Sequence, residues 1–197
     1  HGALATYVSP SKDGKRLVFS NRGVFELDDF SLSAERLTEW NTGTPAVLPS
    51  GRYVVASPVE HNSQIAIRGM MASDDGGRSW LNVFPGQAIA VGLSSNGALL
   101  ASRKETGGAL PDDDGGLIVS TDGGDHWIRT GHYVYPGYIF GEPSGTMLAS
   151  SARQGYRYYP ESNRLQLLET GQDLRQYLID AFSGAHIKLE NSSVYLS

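Results

Sequence analysis

Catalysis needs nucleophiles, titratable pairs or metal ligands at workable spacing, and this sequence offers few. Cysteine is absent, which excludes thiolate catalysis, disulfide staples and cysteine-ligated zinc. No Gly-x-Ser-x-Gly segment supports a serine nucleophile. A carboxylate pair that cleaves glycosidic bonds needs a fixed separation, which spacing along the chain does not supply. Three adjacent carboxylates, Asp112, Asp113 and Asp114, stand in segment 111–116. They are hard oxygen donors of the kind calcium takes, but they lack the spaced pattern of a dedicated calcium loop. A calcium contact and a solvated acidic turn are the two readings, and no other cofactor is expected. The chain opens on His1, which is read either as a tag remnant or as half of a copper brace. The brace would require a second histidine in a different fold.

Charge narrows the partners. The formal net charge is −5 over 197 residues, whereas a nucleic-acid backbone or an anionic membrane selects for basic patches. No apolar run approaches the roughly 18 residues of a membrane span. The expectation is a globular domain with a protein or glycan partner, no nucleic acid and no membrane span.

The elements that must carry any site are repeats. Five glycine turns, ending at Gly14, Gly51, Gly97, Gly145 and Gly184, each precede an apolar run, and they are spaced 37, 46, 48 and 39 residues apart. Glycine reaches positive φ without steric cost, so such turns between apolar runs read as hairpins. The spacing is that of a four-stranded propeller blade, about 40–50 residues. The third repeat reads as strands over 88–93, 98–102, 117–120 and 127–130, called A to D in order. Only 174–181 reads equally as helix or strand, and the fifth unit stops after a third strand. The fold expected is all-β: a propeller-like array of about five antiparallel, mostly four-stranded units, forming either an incomplete or a small ring. It is one domain over 1–197, with units near 1–43, 44–86, 87–135, 136–172 and 173–197. Alternation puts Tyr156 and Tyr158 on one sheet face and Tyr159 on the other, in packing roles.

Two octapeptides give the array a closer likeness. Ser73-Asp74-Asp75-Gly76-Gly77-Arg78-Ser79-Trp80 fits Ser-x-Asp-x-Gly-x-Ser/Thr-Trp at every position. Ser120-Thr121-Asp122-Gly123-Gly124-Asp125-His126-Trp127 follows 47 residues later, with His126 in place of Ser or Thr. Both fall between strands C and D. The sequence therefore resembles the Asp-box (bacterial neuraminidase repeat) β-propellers. That resemblance implies a structural role for Ser73, Asp75, Gly77, Trp80, Ser120, Asp122, Gly124 and Trp127, away from any active site. It makes His126 a turn variant. It also implies an extracytoplasmic location, periplasmic or secreted.

The catalytic pattern of Asp-box sialidases is three arginines around a carboxylate, a Tyr–Glu nucleophile pair and an Asp acid/base. It is not matched here. Arg-Ile-Pro does not occur, Arg22 lies in Asn21-Arg22-Gly23, and nothing groups Arg68, Arg103, Arg153 and Arg157. Xyloglucanase-type hydrolases also carry such boxes, but work in a cleft between two propellers. The reading leans away from enzymatic activity; a glycoside hydrolase is the activity left open. Tight A–B turns and boxes make one rim a framework. Length variation falls in the B–C and D–A connections of the opposite rim, and variable loops on a rigid scaffold carry binding. The candidate binding residues there are Arg22, His61, Arg103, Lys104, His132, Tyr133, Tyr135 and Arg153. The expected function is a non-catalytic binding propeller for a protein partner: a receptor, an assembly module or an inhibitor of a secreted bacterial toxin. The alternative is a carbohydrate-binding or glycosidase-derived, sialidase-like module.

Overall fold

The structure is a computed structural model that describes residues 5–10, 12–40, 42–57, 69–84, 86–103, 115–151, 154–168, 177–179, 186–190 and 193–196. Among these the chain is all-β. Sheet I contains β1 (Ala5–Val8), β2 (Lys15–Ser20), β3 (Gly23–Asp28) and β4 (Ala34–Arg36). Sheet II contains β5 (Ala46–Val47), β6 (Tyr53–Ala56), β7 (Met70–Ser73) and β8 (Leu81–Phe84). Sheet III contains β9 (Ala88–Leu93), β10 (Leu99–Arg103), β11 (Gly116–Ser120) and β12 (Ile128–Arg129). Sheet IV contains β13 (Tyr138–Gly141), β14 (Met147–Ser150), β15 (Gly155–Tyr159) and β16 (Arg164–Leu167). Sheet V has three strands, β17 (Tyr177–Ile179), β18 (His186–Glu190) and β19 (Ser193–Leu196). Every pairing is antiparallel between chain neighbours, and the sheets form an open series. The ambiguous segment 174–181 holds a strand, β17.

Counting from the turn glycine explains how the sheets stack. Strand side chains alternate between faces, so the second and fourth residues after the glycine share one face and the third and fifth the other. Leu17 and Phe19 of sheet I meet Val55 and Met71 of sheet II in one buried cluster. Val54 and Ala56 of sheet II meet Leu99 and Ala101 of sheet III in the next. Leu100 of sheet III meets Met147 and Ala149 of sheet IV in the third. Even steps face the preceding sheet, and odd steps face the following one. Leu99 and Leu100, both fully buried, contribute about 2 kcal/mol each through lost apolar exposure, one to each neighbouring seam.

The innermost strands run side by side at backbone distance. A Cβ on Gly141 would lie 2.0 Å from Leu93 O, so only glycine allows β13 this close to β9. Tyr156 and Tyr158 are buried in the seam between sheets III and IV. Tyr159 turns to the other face, where the Arg164 guanidinium stands 3.8 Å from its ring centroid.

Candidate binding rim

The two octapeptide turns build the framework rim, and their geometry is nearly superimposable in kind. Ser73 Oγ accepts the Gly77 N–H at 2.8 Å and donates to Asp75 Oδ1 at 2.9 Å. Ser120 Oγ does the same with Gly124 at 2.9 Å and Asp122 at 2.8 Å. Asp75 Oδ1 also accepts the backbone N–H groups of Arg78 and Ser79. The Trp80 and Trp127 indoles donate to Gly77 O and Gly124 O at 2.8 and 2.9 Å. The turn is thus closed on itself before the tryptophan ring leaves it.

The seventh position explains the His126 variant. Ser79 Oγ donates to Asp75 Oδ2 at 2.6 Å, and His126 Nδ1 donates to Asp122 Oδ2 at the same distance. The imidazole N–H replaces the hydroxyl as donor. The hydroxyl and backbone N–H of Ser79 hold the Asp75 carboxyl down at about 2. The backbone N–H of His126, followed by its ring, holds Asp122 well below the usual carboxylate range.

Each octapeptide clamps its sheet to the preceding one. Trp80 of sheet II packs edge-on against Phe19 and against Trp40, which follows sheet I, with the Trp40 centroid 5.3 Å away. Trp127 of sheet III packs with the cluster shared with sheet II, 6.5 Å from Phe84. The sixth positions carry opposite charges, and both reach back. Arg78 Nη2 lies 2.8 Å from Glu26 of sheet I, and Asp125 lies 2.8 Å from Arg52 Nη1 of sheet II.

The opposite rim holds the β2–β3 turn, the D–A connections and the end of β10. Arg22 sits exposed in the β2–β3 turn, and its carbonyl accepts Arg36 Nη2 at 2.6 Å. Tyr133 and Tyr135 are 63% and 42% exposed in the connection between sheets III and IV. His132, between them and β12, is half-buried and donates Nε2–H to Asn163 O at 2.9 Å. Its ring stands edge-on to Tyr158 at 6.2 Å. It fastens two sheets.

Arg103 corrects the expectation of a rim side chain presented to solvent. It is the last residue of β10, only 3% exposed, with its guanidinium 5.2 Å from the Phe84 ring centroid. Its flat cation stacks on an aromatic face, which sequence spacing gives no means to foresee. His61, Lys104, Arg153, Asp112, Asp113 and Asp114 lie outside the described residues. Among the described residues no group of three or more His, Asp or Glu is placed to hold a metal. No helix there is long and apolar enough to cross a membrane.

The sequence missed Asn163. In the β15–β16 turn of sheet IV it adopts φ 49. It donates Nδ2–H to Thr130 O at 3.0 Å and accepts the Tyr158 hydroxyl at 3.1 Å. An asparagine tolerant of the left-handed region was the available signal. Phe30 and Leu32 stand exposed in the β3–β4 turn.

Sheets stacked this way, tight turns on one rim and long connections on the other, are blades of a β-propeller, here in an open series. No family model matches the sequence, and no curated protein does. Solved propellers do match in fold. A protein assigned as a gluconolactonase shares 14% identity at a TM-score of 0.67, covering 99% of this chain and 75% of its own. PorZ, a surface component of the type-IX secretion system of Porphyromonas gingivalis, shares 11% at 0.63, with coverage of 98% and 31%. A xyloglucanase from Xanthomonas campestris shares 18% at 0.60, with coverage of 96% and 35%. The chain spans about a third of the last two.

Proposed function

We propose that this chain is a non-catalytic binding propeller of the Asp-box type, recognising a protein partner through the rim of B–C and D–A connections. The observation that carries the reading is the exposure of Tyr133 and Tyr135 on the connection between sheets III and IV. Tyrosine supplies large, rigid, amphipathic contact area at low entropic cost, and aromatic residues are enriched in interface cores. Arg22 joins them on the same rim, and the two octapeptides hold the opposite rim as scaffold. An extracytoplasmic location accompanies this reading, supported by the likeness to a bacterial surface component. The whole chain acts as one repeat domain whose boundaries follow the glycine turns.

A second reading, a glycan-binding module, draws on the same tyrosines, because sugar rings stack on aromatic faces, and on the likeness to a xyloglucanase. One experiment separates the two. The chain and its Tyr133→Ala/Tyr135→Ala variant are immobilised side by side against extract and medium, and probed on a glycan array. A protein retained by the parent and lost by the variant supports the first reading. Glycan binding lost in the same way supports the second, and indifference to the substitutions rejects the rim.

A further inference from the structure

The turn between β9 and β10 repeats the core of the two octapeptides with an amide in place of the acid. Ser94-Ser95-Asn96-Gly97-Ala98 aligns with Ser73-Asp74-Asp75-Gly76-Gly77 and with Ser120-Thr121-Asp122-Gly123-Gly124. In all three the serine hydroxyl donates to Oδ1 of the third residue. The same hydroxyl accepts the N–H of the fifth residue, at 2.8, 2.9 and 3.0 Å for Gly77, Gly124 and Ala98. The fourth residue is each time a glycine at positive φ, 74, 76 and 89 for Gly76, Gly123 and Gly97. The third position differs in kind: Asn96 stands where the octapeptides carry a carboxylate.

Asn96 is also the one asparagine of the chain followed by glycine. The others precede Arg, Thr, Ser or Val, whose side chains crowd the next backbone nitrogen. Without that crowding, the nitrogen attacks the preceding side-chain amide. The Gly97 N–H gives its proton to base, the nitrogen bonds to Asn96 Cγ, the Cγ–Nδ2 bond breaks, and Nδ2 leaves as ammonia with a proton returned to it. Water then opens the five-membered imide. Opening at Cγ gives aspartate, and opening at the main-chain carbonyl gives isoaspartate, whose backbone is longer by a methylene. No oxidant or reductant enters.

The geometry bears on each stage. Asn96 is exposed, so base and water reach it. Its Oδ1 is polarised by the Ser94 hydroxyl and by the Ala98 N–H at 3.3 Å, donors that also meet the charge developing there during attack. The Gly97 N–H donates to Ser94 O at 3.0 Å, so the attack waits on opening of the turn.

We propose that Asn96 is a site of spontaneous deamidation, and that the turn accommodates the aspartyl product but not the isoaspartyl one. An aspartate at this position meets the kinds of donor that serve Asp75 and Asp122, a hydroxyl and a backbone N–H, now charge-assisted. An isoaspartate displaces Gly97 and breaks its bond to Ser94 O. It also disturbs the junction with sheet IV, where Ser95 Oγ donates to Pro143 O at 3.1 Å.

Ageing the folded full chain at mildly alkaline pH, followed by trypsin digestion and fragmentation mass spectrometry, tests the site. Cleavage after Arg78 and Arg103 isolates residues 79–103, with Asn82 as an internal control. The expected result is the amide-to-acid mass gain at Asn96 and not at Asn82, slower in the folded chain than in urea. Asn96→Asp should melt no lower than the parent. The isoaspartyl fraction of the aged chain, separated by chromatography and identified by enzymatic methyl transfer, should melt lower. An Asn96 that stays intact in the folded chain while the urea-unfolded chain converts overturns the proposal. So does an Asn96→Asp variant that melts below the parent, because the turn then requires the amide.

Discussion

Asp75 and Asp122 each accept a backbone N–H and a side-chain bond from the seventh residue of the turn, a hydroxyl in one and an imidazole in the other. Both carboxyls are depressed in the folded chain, against an ordinary value of about 3.9. A depressed acid stabilises the fold fully above the unfolded value and loses that contribution as pH falls through the folded one. For Asp75 the window runs from about pH 4 down to about 2. Asp75→Asn should lower the melting temperature at neutral pH and flatten its fall across that window; a melting curve at each pH checks this, and an unchanged slope refutes it. His126→Ser should leave stability within about 0.5 kcal/mol, because a hydroxyl already fills the role in the first turn. Sequence made these residues legible through spacing. Arg103 was not legible, because its burial depends on Phe84 arriving from the neighbouring sheet.

At the scale of elements, glycine turns announce strands because the backbone itself demands them. Gly124 has φ 95, and an added Cβ would lie 3.4 Å from both Leu99 and Val54. Gly124→Ala should therefore cost more than about 1 kcal/mol, read by urea unfolding. Gly97→Ala, with φ 89 but open space around it, should cost only the backbone strain and fall below Gly124→Ala. Asn163→Ala removes one bond from sheet IV to sheet III and one within sheet IV, and should cost about 2 kcal/mol. The outer strands were harder to read. β12 has two residues, both exposed, so no alternation marks its ends. The β15–β16 turn of sheet IV carries no octapeptide, and Asn163 performs the fastening through side-chain chemistry with no fixed motif.

Sheets I to IV form a series in which each contacts its neighbours through one repeated rule. The sequence revealed the repeat and its period, but not its direction. That each tryptophan turn leans on the preceding sheet emerges only when Trp80 meets Phe19 and Trp127 meets Phe84. Stability in such arrays is close to a sum of unit and nearest-neighbour terms. Native-state hydrogen exchange should accordingly be slowest in β6, β7, β10 and β11, the inner strands of sheets covered on both sides. It should be fastest in β4 and β12, at the edges. Uniform protection across these strands would show a single cooperative unit instead.

The placement of the clamps also makes the chain its own spectroscopic gauge. Its three tryptophans, Trp40, Trp80 and Trp127, all stand at the first two junctions, whereas the third is lined by Tyr156 and Tyr158. Indole emission therefore watches one half of the molecule, and phenol absorbance is weighted toward the other. Melting that starts beyond sheet III would shift the tyrosine signal while the indole signal held steady, and melting from sheet I would reverse the order. Two wavelengths followed in one heating ramp would report the end from which the array comes apart.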